Sequence, residues 1–447
     1  MTWTKSQRIG VSIGAFLVLV NIVRWGGTAT PGLTFVLGVA VLIGLILGFT
    51  GFLYWLLVTP IKNAVPSKPN ALLRHLGAVA VLTSGTLMTF STTWDEAWHR
   101  RYGTGNDFLW MPHIMMYSSF AICSLLASAG ILYLVLTGQG GFRSRARSEP
   151  LVALLASVSL FLLFSAPSDL LWHQIYGLDI TAWSLPHITL MLGFVGVILC
   201  GATLALSSQV SRVWRGLQNM SLNEWLTLWL CGSALMFLLQ FGTTEWENVT
   251  ALEYAMRDPE KLFWQRPESL FIAAILSVTG FIGAFVQNAT KRIGVAMLVG
   301  GFLLLQRTAA LLVVGGTDLG MTLRAHTIAI GILLALDLIA YWQKSGTWTI
   351  KSAFSSGALA IGVVLIGTSQ LFVYPRINLE TIVWHVLFGM VAWLGFTYAG
   401  ALFGRSVATM EKLEVMRVAW LPKATIAVLT SAMATLAVAL LTAKPPF

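Results

Sequence analysis

Long apolar runs separated by short polar clusters recur along almost the whole chain. A run of 18 or more apolar residues can cross about 30 Å of hydrocarbon as a helix. In lipid only helices and closed barrels satisfy every backbone donor and acceptor. The pattern predicts about thirteen spans, near 9–24, 32–58, 73–94, 113–137, 150–170, 187–207, 223–244, 268–288, 293–315, 323–343, 353–373, 380–403 and 423–442. The first is short and closed by Arg24, and with no small-residue cleavage site after it we read it as a retained helix rather than a removed signal peptide. The longest connections, 245–267 and 404–422, are too short for a soluble domain. The expected fold class is all-α: a polytopic transmembrane helix bundle forming one integral membrane domain over 1–447.

Composition agrees, with 56% hydrophobic and only 10% charged residues and a mean hydropathy of +0.77. A formal charge of +10 would suit a nucleic-acid partner, but the basic residues are not gathered on one face. They fall in alternate loops, among them Arg143, Arg145, Arg147, Arg215, Lys291 and Arg292, while most acids fall in the others. That is the positive-inside bias. It accounts for the charge without nucleic acid, makes the lipid bilayer the partner, and puts the N-terminus on the cytoplasmic side of an inner membrane. The arginines of GFRSRARSEP are expected to meet anionic headgroups. Cys123, Cys200 and Cys231 all fall within spans, as small packing residues rather than a disulfide framework.

One polar pattern occurs twice. DEAWHRRYGTGNDFLWMPHI, beginning at Asp95, and DLLWHQIYGLDITAWSLPHI, beginning at Asp169, superimpose at an offset of 74 residues. Asp95, Trp98, His99, Tyr102, Gly103, Pro112, His113 and Ile114 fall on identical residues, giving Asp-x3-His-x13-His in both copies. The offset equals about two spans with their connections, so the chain reads as parallel-repeated helix pairs. Repeat 1 covers about 73–137 and repeat 2 about 150–208, with weaker echoes in 223–403 such as Trp264, Pro267 and Glu268. Both motif loops then face the periplasm or exterior.

The residue types suggest metal chemistry. Asp95 and His99, like Asp169 and His173, are four apart and share one helix face. His113 and His187 each follow a proline, which suits a first helical turn. Each hairpin can therefore converge two imidazoles and a carboxylate, a set that suits Zn(II), Cu(II) or Fe(II) with coordination positions left open. Trp98 and Trp172 would wall such a site, and Asp107 and Asp179 could orient an imidazole N–H. A duplicated hydrogen-bond or proton-relay network is the other reading of the same residues. Polar groups within spans are costly and usually functional.

The segment Asp95-x-x-Trp98-His99 … Asp107-Phe108 … Pro112-His113-Ile114 resembles the copper-site segment found in a membrane subunit of the particulate methane and ammonia monooxygenases. That family carries Asp-x3-His-x12-His, one residue shorter than the gap here, and carries it once rather than twice. The resemblance covers about twenty-five residues per copy. It implies copper as cofactor, with Asp95, His99 and His113, and likewise Asp169, His173 and His187, as its ligands. The family's Asn-x3-His pair is absent from this chain.

Other candidates stand apart. Arg307 and Asp337 are charges within spans that could pair or line a cavity. Glu268, His326 and His385 each begin a span on the outer side, the two histidines as capping or interface residues. The functional expectation is a copper-dependent oxidative membrane enzyme of monooxygenase-like type, or a subunit of one, working with membrane partner subunits or an electron donor. The alternatives are a metal or proton transporter and a non-catalytic structural subunit. A transporter would need Arg307 and Asp337 as stepping stones inward.

Overall fold

In the computed structural model, residues 71–102, 111–137, 140–176, 185–206, 213–247, 268–314, 323–342, 350–371 and 382–408 are described, with most of Leu47–Leu57 and the single residues Gly44, Thr59 and Leu379. Some helix-end side chains within these ranges lie outside the described set. Among the described residues the regular structure is helical: α1 (Ala71–Tyr102), α2 (Met111–Leu136), α3 (Phe142–Ser148), α4 (Pro150–Tyr176), α5 (Leu185–Leu206), α6 (Leu222–Glu247), α7 (Glu268–Thr290), α8 (Val295–Val314), α9 (Arg324–Trp342), α10 (Ile350–Leu371) and α11 (Ile382–Ala408).

Nine of these helices are long and apolar enough to cross a membrane: α1, α2 and α5 to α11. Each falls where the apolar pattern predicts a span. The expected span 150–170 falls on α4, whose first part forms with α3 a pair bent by 110°. The expected spans 9–24 and 423–442 lie outside the described residues, and 32–58 is described only in part.

The chain divides into two compact units. The first comprises residues 1–70, 123–196 and 248–266. Pro150 explains its bend: proline suits the first turn of α4 but disfavours helical geometry in the residue before it. Glu149 accordingly leaves the helical region at φ −130° and ψ 63°, and α3 stops at Ser148. The α3 arginines bond the ends of neighbouring helices. Arg143 donates from Nη2 to the Trp55 and Thr59 carbonyl oxygens, both at 3.0 Å, with its guanidinium 4.7 Å from the Trp55 ring centre. Arg145 donates to the carbonyl oxygens of Leu134, at 3.4 Å, and Val135. Arg147 donates to the Leu56 carbonyl oxygen at 3.2 Å. The last carbonyls of a helix lack intrahelical partners and carry partial negative charge, so these cations close two helix C-termini. Ala146 meanwhile packs into the cluster of Leu56, Leu134 and Ala153.

The second unit comprises residues 71–122, 197–247 and 267–447. In it α7 packs against α6, α9 and α11, while α8 packs against α1, α6 and α9. α7 and α11 run parallel: Gly389 faces Ile272, Gly280 faces Thr397, and Gly404 faces Ala289. A methyl group at Gly400 would fall on the Phe281 carbonyl oxygen. Between lipid-embedded helices, where attraction comes from close packing, small residues spaced like Gly400 and Gly404 let the backbones meet. Buried hydroxyls such as those of Thr86, Thr243 and Thr290 bond the carbonyl one turn back, so they enter lipid with their polarity satisfied.

One end of this unit is closed by a polar knot. Ser221 and Glu224 cap α6 reciprocally: Ser221 N–H donates to Glu224 Oε2 at 2.8 Å, and Glu224 N–H donates to Ser221 Oγ at 3.2 Å. Arg292, only 1% exposed, donates to Glu224 at 2.6 and 3.1 Å and to the carbonyls of Gly216, Gln218 and Asn219. The turn from α7 to α8 includes Gly294 at φ 92°, a left-handed conformation that favours glycine. Asp337, from the middle of α9, accepts from Gly294 N–H at 3.0 Å, Met297 N–H at 2.8 Å and Gln287 Nε2 at 2.7 Å. It is the remote cap of the α8 N-terminus, where a carboxylate is favoured.

Candidate metal centre

α1 continues past its apolar stretch to Tyr102, so Asp95 and His99 lie one turn apart on the same helix. α2 begins Met111–Pro112–His113, with the proline in the first turn. These two helix ends bring Asp95 and His113, eighteen positions apart in sequence, to 3.1 Å between Oδ1 and Nε2. Both side chains are 22% exposed, so the site is shielded yet reachable. The contact is a close carboxylate–imidazole pair. Two ligands on one tetrahedral ion, with bonds of about 2.0–2.1 Å, lie about 3.3 Å apart. A separation of 3.1 Å is also that of an ordinary Asp–His ion pair.

The same two helices also pack an apolar cluster against α8. Phe90, Trp94, Met115 and Ala310 form one buried cluster, with Leu87, Met111 and Ala309 packed against it. The His113 ring lies 6.2 Å from that of Tyr117. Ala309 and Ala310 belong to α8, which brings the α8 segment containing Arg307 to the same layer. Arg307 is 1% exposed and donates from Nη2 to Glu96 Oε2 at 2.8 Å and from Nη1 to Thr93 Oγ1 at 3.1 Å. Gln306, beside it, accepts from Ser233 Oγ at 2.8 Å and donates to the Trp229 carbonyl oxygen at 3.1 Å. Gln240 donates to the Thr92 carbonyl oxygen at 3.0 Å. A buried polar seam thus joins α1, α6 and α8.

The other expected ligands are only partly within the described residues. The side chains of Trp98, His99, Asp169, Trp172 and His173, and the whole of Asp107 and Asp179, lie outside them. His187 is described and half-buried in the first turn of α5. The boundaries of the two hairpins nonetheless coincide at the same offset: α1 ends at Tyr102 and α4 at Tyr176, α2 begins at Met111 and α5 at Leu185. Among the described residues, no three His, Cys, Asp or Glu side chains come together as a metal-holding group.

The weaker candidates resolve differently from their sequence reading. Arg307 and Asp337 do not pair: Arg307 holds Glu96, and Asp337 caps α8. His326 and His385 are buried, at 1% and 0% exposure. Neither ring nitrogen of His385 makes a hydrogen bond, so it is not a cap. The Glu268 side chain lies outside the described residues. The three cysteines are buried and none is in a disulfide. Sequence reasoning missed Glu96. It lies just past the predicted span 73–94, so no local signal marked it; in the structure the apolar helix runs on to Ala97.

Comparison with protein-family models, with curated proteins and with solved structures returned no match to this chain.

Proposed function

We propose that the chain is a multi-pass inner-membrane protein of about thirteen spans that holds a transition metal, copper, at Asp95, His99 and His113. A second ion is held at Asp169, His173 and His187. Both sites face the periplasm or exterior, by the loop charges. The observation that carries this reading is the 3.1 Å approach of Asp95 to His113 across the α1–α2 hairpin, with His99 one turn further along α1. The matching hairpin boundaries 74 residues later support a repeated helix pair and a second site.

The activity we assign is monooxygenase-type oxidation of a small apolar substrate arriving through the bilayer, with O2 as oxidant: one oxygen atom enters a C–H bond of the substrate and the other leaves as water, with two electrons from a donor and two protons, by this chain or with partner subunits. Bound copper would supply one-electron redox chemistry and an open coordination position. Asp95 would contribute the negative charge that balances the ion. His113 would be held in place by its seat in the first turn of α2. Phe90, Trp94, Met111 and Met115 would exclude water and admit an apolar substrate. Transport is the poorer reading, because both charges it would need within the membrane are committed to fixed structural bonds.

The test is metal analysis of the full chain purified in detergent. Up to two equivalents of copper are expected, falling by one in His113→Ala. Wild-type protein that retains no copper, zinc or iron at neutral pH would overturn the proposal.

A further inference from the structure

Arg307 and Glu96 form an ion pair that is nearly dehydrated, at 1% and 14% side-chain exposure. In such surroundings charges are weakly screened and act on their neighbours far more strongly than in water. Glu96 is the residue next to Asp95 on α1, and Arg307 lies one turn before Ala310, which packs against Phe90 and Trp94 of α1 and Met115 of α2. The second copy has no counterpart. At the repeat offset, Leu170 replaces Glu96 and Pro167 replaces Thr93, so neither residue that Arg307 holds exists there.

We infer that the Glu96–Arg307 pair is an electrostatic regulator of the first metal site, setting its affinity and redox balance apart from those of the second. The inference rests on the metal reading above. Glu96 brings a negative charge beside a ligand, and Arg307 cancels it. With Arg307 neutralised, the site becomes one unit more negative and binds a dication more tightly. With Glu96 neutralised, the buried guanidinium is uncompensated and repels the ion. Each change breaks the same pair, so a purely structural tie would weaken the site in both cases. Opposite signs are the mark of regulation. Both residues act as positioning and charge-setting groups, not as ligands.

The experiment titrates Cu(II), and separately Zn(II), into the detergent-solubilised full chain, with competing chelators and a thermal-unfolding check on every variant. For one equivalent, R307Q is expected to tighten binding by about 10-fold and E96Q to weaken it by about 10-fold. The double variant E96Q/R307Q, in which charge is balanced again, should return near wild type. With copper, R307Q should lower the midpoint potential and E96Q raise it, since extra negative charge favours the more positive oxidation state. The other equivalent should move in none of the variants. E96Q leaves a buried cation without its counter-charge and could fail to fold; R307Q measured against the double variant then carries the test. Shifts of the same sign in R307Q and E96Q, or no difference between R307Q and the double variant, would overturn the inference while leaving the metal site standing. Wild-type protein that binds neither ion would remove the metal reading, and the inference with it.

Discussion

The two ends of α8 use the same residue types to opposite effect. At its N-terminal end, Glu224 takes four hydrogen bonds from Ser221 and Arg292, and Asp337 takes three from Gly294, Met297 and Gln287. Each carboxylate is buried, at 3% and 5% exposure, and saturated. Toward its C-terminal end, Arg307 holds Glu96, while the neighbouring Asp95–His113 pair is 22% exposed. The first arrangement is closed to solvent and the second is reachable from it. A charge inside a membrane helix is therefore not in itself a sign of function. Its saturation and its access decide.

Substitutions can break or sharpen that contrast. Arg292→Ala should be the most damaging, because it strands the buried Glu224 and releases three backbone carbonyls. Loss of one partner of a buried pair costs about 3–5 kcal/mol, to be read as a large fall in unfolding temperature or folded yield in detergent. Asp337→Ala follows, leaving the Gly294 and Met297 amides and Gln287 without their acceptor, for about 1–3 kcal/mol. Metal content per folded molecule should be unchanged in both; its loss would mean that the two ends are not separable. Thr93→Val removes a single neutral acceptor from Arg307 and should cost about 1 kcal/mol. His113→Ala should have the smallest effect on stability, within about 0.5 kcal/mol as for an ordinary partly exposed residue, while removing one metal equivalent. A large stability loss without loss of metal would reverse the comparison and make the Asp95–His113 contact structural.

The local signals were the readable ones. Apolar run length located the nine spanning helices, because lipid tolerates little else. The convergence of Asp95 and His113 was also readable, since a short loop and a proline-led helix leave the two ends of a hairpin few ways to avoid each other. The fate of the arginines was not. Arg143, Arg145 and Arg147 look like headgroup contacts in one dimension, yet they bond carbonyls up to 91 residues away. Arg307 and Asp337 invited pairing with each other because nothing local shows that Glu96 lies 211 positions before Arg307 and beside it in space.

The sequence alone determined that this chain is built from membrane-spanning helices, and that metal-binding residue types recur at one spacing. Those properties are local: hydrophobic length answers to the thickness of the bilayer, and i to i+4 spacing answers to the helical turn. Only the tertiary structure decided which charges are saturated and which remain reachable. That outcome depends on which helices meet, and the meetings are set by close packing at places such as Gly400 against Phe281. Between helices in lipid, packing of that kind is read from shape in three dimensions, and polarity along the chain does not record it.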